Sequence, residues 1–308
     1  MIRRGAAIAM VVAALGLGPV GPAAGYPPPG THPPLTLTTV EDRYAASQRD
    51  VRAALSAARA AGATDRAATL AALASRQLLE FDARGTGRVV EVLGDLAGAD
   101  RIAVIVPGSH TTLDTFDQNR GPGGGARALD RQVRAVDPAA RMAVVAWLGY
   151  RPPQGINPAA LTDRLAGTGA AGLRTTVESV RAVNPDAAVS LLCHSYGSVV
   201  CGYAVAGGLP VADLVLYGSP GVGAGSAGEL ASAERVWAGR SAADPIRFVP
   251  FVRVAGIGFG TDPVAPEFGA RGFAAGAGGH GDYHLPGSRA LGSLALIALG
   301  RVAAVPGA

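Results

Sequence analysis

The sequence predicts an α/β fold: a mostly parallel sheet covered by helices on both faces, with an N-terminal helical segment and a β-hairpin ahead of it. Three observations carry this reading. From Arg101 onward, short apolar runs alternate with stretches of helical periodicity. Those runs are continuous, the pattern of strands buried on both faces. One of them, AVSLLC, stops abruptly at His194-Ser195-Tyr196-Gly197. A serine therefore sits at the carboxyl end of a strand, where open α/β sheets carry their reactive groups.

The 308 residues are 49% hydrophobic and 16% charged, enough for one large core and too apolar for disorder. Residues 1–25 read as an export signal, with Arg3 and Arg4, then AAIAMVVAALGLG, then the small residues Ala23-Ala24-Gly25. The apolar run is shorter than the ~20 residues that span a bilayer, so cleavage is expected and a stable membrane anchor is not. Residues 26–36 form a proline-rich linker in which His32 is expected to be solvated. Residues 37–100 supply helices and a hairpin packed on the core, and residues 101–308 the main domain.

Taken in order, Leu37 to about Gly62 reads as an amphipathic helix with TTVED as its capped start. A second helix runs from about Thr64 to Arg76. LLEFD and GRVVEVLGD, separated by ARGT, read as the hairpin. IAVIVPG is the first buried strand and GGARALDRQVRAVD the helix after it. MAVVAWLG is the next strand, and the region from Asn157 to Val183 is mostly helical. AVSLLC leads into a helix from about Tyr196 to Ala206. DLVLYGSP and ERVWAGR are further strands, and PGSRALGSLALIALGR is the closing helix. The Gly-rich segment from Ala255 to Gly279 reads as a loop over the site, a candidate lid.

Charge and composition exclude several chemistries. Without Arg3 and Arg4, the 27 basic residues fall to 25 against 23 acidic, a near balance. No basic run is interleaved with aromatics, so no nucleic-acid partner is expected. Every basic residue is arginine. That rules out a lysine Schiff base, a phosphate-loop lysine and a serine–lysine dyad. No CxxC or paired-histidine spacing points to a metal. Cys193 and Cys201 are the two cysteines. At the usual helix-to-sheet spacing their Cα atoms would be about 10 Å apart, and a disulfide needs less than about 7 Å, so two buried free thiols are expected.

A strand that turns at once into a helix across a serine lifts the hydroxyl clear of the sheet, and the turn needs small residues two before and two after it. Gly197 meets the second need; Cys193 stands at the first. The helix from Tyr196 aims its free N–H groups at the site, where they can stabilise an oxyanion. An activated serine also needs a histidine and an orienting acid, in hydrolases with this elbow in the order serine, acid, histidine. Asp244 follows the strand ERVWAGR, with Asp262 in GTDP as second choice. His280 in GGHGDYH precedes the last helix, with His284 as second choice. His194 is expected to pack or shape the pocket, and His110 to line its entrance or sit in a loop.

With these residues in view the chain resembles the α/β-hydrolase superfamily. More narrowly, it is similar to a bacterial family catalogued as a domain of unknown function and marked by a VPG turn, a GHSYGS elbow, a GSPG and a late GHxxY. Here these stand at Val106–Gly108, Cys193–Ser198, Gly218–Gly221 and Gly279–Tyr283. The likeness runs from about Leu78 to Arg301, and Cys193 in place of glycine departs from it. The resemblance implies Ser195 as nucleophile, Asp244 as orienting acid and His280 as general base, with the backbone N–H groups of Ser109 and Tyr196 as oxyanion hole. Together with the export signal, it implies an exported esterase or lipase that needs no cofactor or metal and acts on a small-molecule or lipid ester. Thioesterase, peptidase and acyltransferase activities would use the same residues. A non-catalytic envelope-binding protein on the same scaffold is the reading from another class.

Overall fold

Strand β3 (Arg101–Val106) shows why the sheet is buried on both faces. Ile102, Val104 and Val106 face one apolar layer, and Ala103 and Ile105 the other. The period of two along a strand thus feeds two cores from one continuous apolar run. The computed structural model of the chain describes residues 25–154, 164–251 and 258–307. The expected export signal lies outside them apart from Gly25, as does the start of the region predicted helical from Asn157.

With β3, the strands β1 (Gln77–Asp82), β2 (Arg88–Leu93), β4 (Met142–Leu148), β5 (Ala188–His194), β6 (Val211–Tyr217), β7 (Ala233–Gly239) and β8 (Arg271–Gly272) form one sheet. Their order across it is β1-β2-β4-β3-β5-β6-β7-β8. From β3 to β8 all pairings are parallel. The hairpin does not pack against this sheet but extends it: β2 pairs antiparallel with β4, and β1 with β2.

Helices α3 (Pro122–Val136) and α6 (Arg289–Ala298) cover one face, and α4 (Arg164–Val183) and α5 (Tyr196–Ala206) the other. After β3 the chain builds β4 on one side and then returns to place β5 on the other. The crevice at the carboxyl ends of β3 and β5 is therefore the topological switch point, the expected ligand position in such sheets.

The N-terminal helices α1 (Val40–Ala60) and α2 (Thr64–Leu73) bury apolar residues in the same two cores. The first helix starts without the predicted side-chain cap, because the Thr39 hydroxyl donates to the Pro34 carbonyl instead. That contact belongs to a strap. The proline-rich segment lies along α1, where Arg43 donates to the Pro33 carbonyl. His32, expected in solvent, is mostly buried, with Nε2 2.5 Å from Asp50 Oδ2. Proline-rich chain has little conformational freedom to lose, so a few hydrogen bonds suffice to dock it.

The Gly-rich segment also departs from expectation where it is described. It contributes β8 to the sheet edge and buries Phe259, Phe268 and Phe273. Aromatic burial of that size makes it part of the wall of the fold rather than a lid; Ala255 to Ile257 lie outside the described residues. Among the described residues, no helix is long and apolar enough to cross a membrane.

Candidate active site

The elbow forms because β5 ends at the switch point and α5 begins two residues later. Ser195, between them, has φ 53° and ψ −128°, a conformation that L-residues rarely adopt. Among the described non-glycine residues it shares a positive φ only with His110. Strain of this kind costs on the order of 1–3 kcal/mol and persists where the surroundings enforce it. The Ser195 amide donates to the Tyr217 carbonyl at 3.0 Å, and its own carbonyl accepts from the Ser198 amide at 2.9 Å and from the Ser198 hydroxyl.

Small residues surround the turn for measurable reasons. A Cβ on Gly197 would stand 2.6 Å from the carbonyl oxygens of both Val106 and Pro107. A Cβ on Gly108 would stand 2.6 Å from Ser195 Cβ. The VPG turn therefore lies directly over the serine, with the Ser109 amide one peptide further on. Tyr150 braces that turn by donating from Oη to the Pro107 carbonyl at 2.7 Å, and Thr111 by donating from Oγ1 to the Gly108 carbonyl at 3.0 Å.

Cys193, the departure from glycine, is bonded to Cys201. The expectation of free thiols is wrong here, and the reason is local. A strand and the helix covering it are farthest apart in mid-sheet, but here the helix starts at the strand's own end. Cys193 points to the face that α5 covers, Cys201 lies on the second turn of α5, and their Cα atoms are 6.5 Å apart. The close approach that glycine normally permits is met here by a covalent bond.

The acid and the histidine arrive from the other side. Asp244 follows β7 in the loop that starts a short 3₁₀ turn, and His280 lies in the loop before α6. His280 Nε2 is 2.9 Å from Ser195 Oγ, and Nδ1 is 2.9 and 3.0 Å from the two oxygens of Asp244. Gly218, first residue of GSPG, has φ +56°, and a Cβ there would meet Asp244 Oδ2 at 3.0 Å and His280 Cε1 at 3.2 Å. That motif keeps the floor beneath the pair clear.

Asp244 is fully buried yet retains its charge. Burial pushes its carboxyl up, but this is outweighed by the hydrogen bond from His280 and its electrostatic attraction, the Tyr283 hydroxyl and the Ile246 amide, which leave it below the usual carboxylate range. The two added donors lie at 2.6 Å from Oδ2 and 2.8 Å from Oδ1. Burial, and then the neighbouring Asp244 charge, hold the Tyr283 phenol protonated as a donor.

His194 does more than pack. Its Nε2–H donates to the His280 carbonyl at 2.8 Å, and the two rings lie 4.8 Å apart. Burial, then the proximity of His280 and His284, pushes His194 well below the usual histidine range, so it is neutral. The second choices fall elsewhere. Asp262 pairs with Arg240 at 2.6 Å and accepts from the Val264 amide. His284 accepts from the Tyr217 hydroxyl at 2.9 Å, and burial pushes it down to about 4. His110 is exposed, with its amide donating to the Pro153 carbonyl. Sequence reasoning missed the roles of Tyr283 and His194, although both stand inside the quoted motifs.

Residues 82–254 match the family model described as alpha/beta hydrolase. The chain belongs to that family. The chain is 33% identical over 252 residues to uncharacterized protein MT2140 of Mycobacterium tuberculosis, covering 70% of this chain and 37% of the relative. It is 33% identical over 162 residues to uncharacterized protein Mb0988c of Mycobacterium bovis, covering 50% and 60%. The chain thus spans little more than a third of the length of the first of these relatives. Among solved structures it is similar to an esterase named PE8, with 16% identity, TM-score 0.44 and coverage of 67% and 95% of the two chains. An alpha-beta serine hydrolase homologue from Coxiella burnetii gives 13%, 0.38, 70% and 92%.

Proposed function

We propose that this alpha/beta hydrolase is an exported serine hydrolase that cleaves carboxylic esters, of esterase or lipase type. The observation that carries the reading is His280 bridging Ser195 Oγ and Asp244 through its two ring nitrogens at 2.9 Å each. In this reading Ser195 attacks the ester carbonyl as His280 Nε2 takes its proton. Asp244, on Nδ1, fixes the tautomer and stabilises the imidazolium that forms. The amides of Tyr196 and Ser109 hold the oxyanion, at the start of α5 and at the turn pressed on Ser195. His280 then protonates the leaving alcohol and activates the water that releases the acid from Ser195. None of these steps calls on a cofactor.

Export is supported by the buried Cys193–Cys201 bond, since disulfides persist chiefly outside the reducing cytosol. The substrate is a small-molecule or lipid ester. A panel of p-nitrophenyl esters of rising acyl length tests the activity. Turnover is expected for part of the panel and is expected to vanish in Ser195→Ala. Undiminished turnover in that variant would contradict the reading.

A further inference from the structure

The bond between Cys193 and Cys201 closes a loop, residues 194–200, that contains the whole elbow. Both cysteines are fully buried. We propose that this disulfide positions the nucleophile: Ser195 is competent for acylation when the two sulfurs are bonded and slow when they are free thiols. The inference rests on the serine-hydrolase reading and adds a redox condition to it.

The effect is one of space. Two bonded sulfurs occupy less room than two that merely touch, because non-bonded heavy atoms keep roughly 3.5–4 Å between them. Reducing the bond therefore asks a close-packed interior to open a gap between β5 and α5. The helix is held close at two points: Gly197 lies against the carbonyls of Val106 and Pro107, and Gly202 lies against Val222, whose carbonyl oxygen would stand 2.2 Å from a Cβ.

The displacement falls on the joint between strand and helix, and that joint is Ser195. It already holds an unfavourable φ, its Oγ stands 2.9 Å from His280 Nε2, and the next residue, Tyr196, carries one of the two amides assigned to the oxyanion. A misplacement on the order of 1 Å in such an arrangement costs roughly a hundredfold in rate.

Forming the bond removes two electrons and two protons from the thiols. A disulfide oxidant, such as a thiol–disulfide exchange protein or glutathione disulfide, accepts them and becomes two thiols. Because the product is buried, exchange belongs to the folding chain, and the finished bond is shielded from reductant.

The full chain made in an oxidising and in a strictly reducing cytoplasm gives both forms, with thiols counted by mass after alkylation in denaturant. Fluorophosphonate labelling of Ser195, with kcat and KM on a soluble p-nitrophenyl ester, reads competence, and thermal melting reads the fold. The reduced form is expected to label roughly tenfold to a hundredfold more slowly, with the loss in kcat rather than KM. The double variant Cys193→Gly, Cys201→Ala removes bond and bulk together and is expected to label close to the oxidised rate. Reduced protein labelling as fast as oxidised overturns the proposal, as does a folded double variant as slow as the reduced form. If the reduced chain does not fold, Cys201→Val supplies an unbonded, filled elbow, and its labelling at the oxidised rate overturns the proposal equally. An oxidised chain that does not label at all instead contradicts the hydrolase reading beneath it.

Discussion

Tyr283 donates from its hydroxyl to Asp244 Oδ2 at 2.6 Å, three residues after the His280 that binds the same carboxylate. One loop thus carries both the imidazole and the phenol that grip the acid. Tyr283→Phe removes a hydrogen bond to a buried charge, worth about 1.5–3 kcal/mol. Unfolding in denaturant should show a loss of that size. Ester turnover should fall about tenfold, because the carboxylate that orients His280 becomes less firmly held.

The donor from His194 to the His280 carbonyl gives a second expectation. In His194→Ala the base loses its backbone anchor, so kcat should fall about tenfold or more with KM nearly unchanged. His194→Gln keeps an N–H at a similar reach and should recover much of the loss. Equal kcat in the alanine variant and the parent would leave His194 a packing residue only.

Acid stability follows from the buried histidines. His284 is pushed down to about 4 and His194 is also depressed, both by burial. The unfolded chain therefore binds more protons than the folded one below the ordinary histidine value of about 6.5. Stability is full above that value and falls as pH drops toward 4. The slope is up to about 1.4 kcal/mol per pH unit for each histidine. Denaturant midpoints measured across this window should fall with acid, and less steeply in His284→Gln.

Two aspartates compete for the orienting role, and only one touches His280. Asp244→Asn should lower kcat by about 10⁴, the size expected when the tautomer is no longer fixed. Asp262→Asn should leave turnover intact and cost no more than about 1 kcal/mol from the lost Arg240 pair. Kinetics on the two variants side by side decide between them.

The elements legible in the sequence are those with a local signature. Continuous apolar runs mark β3 to β7, and a serine between small residues marks the elbow. Asp244 and His280 are readable because the chain order of an activated serine's partners is restricted. What stayed hidden depends on contacts between distant segments. Nothing in YPPPGTHPP says that His32 meets Asp50, and nothing in the hairpin says that β2 adds to β4. The bond between the cysteines is not legible because mid-sheet spacing does not apply at a strand's end, where Cα atoms close to 6.5 Å. The two residues of β8 are too few to carry a period.

If Ser195, raised by its elbow and served by His280, is the activated hydroxyl, fluorophosphonate treatment followed by peptide mapping will find it. A single adduct on Ser195 is expected, absent in Ser195→Ala and formed far more slowly in His280→Ala. An adduct on another residue, or labelling of Ser195 unaffected by loss of His280, would rule out a Ser195 nucleophile activated by His280.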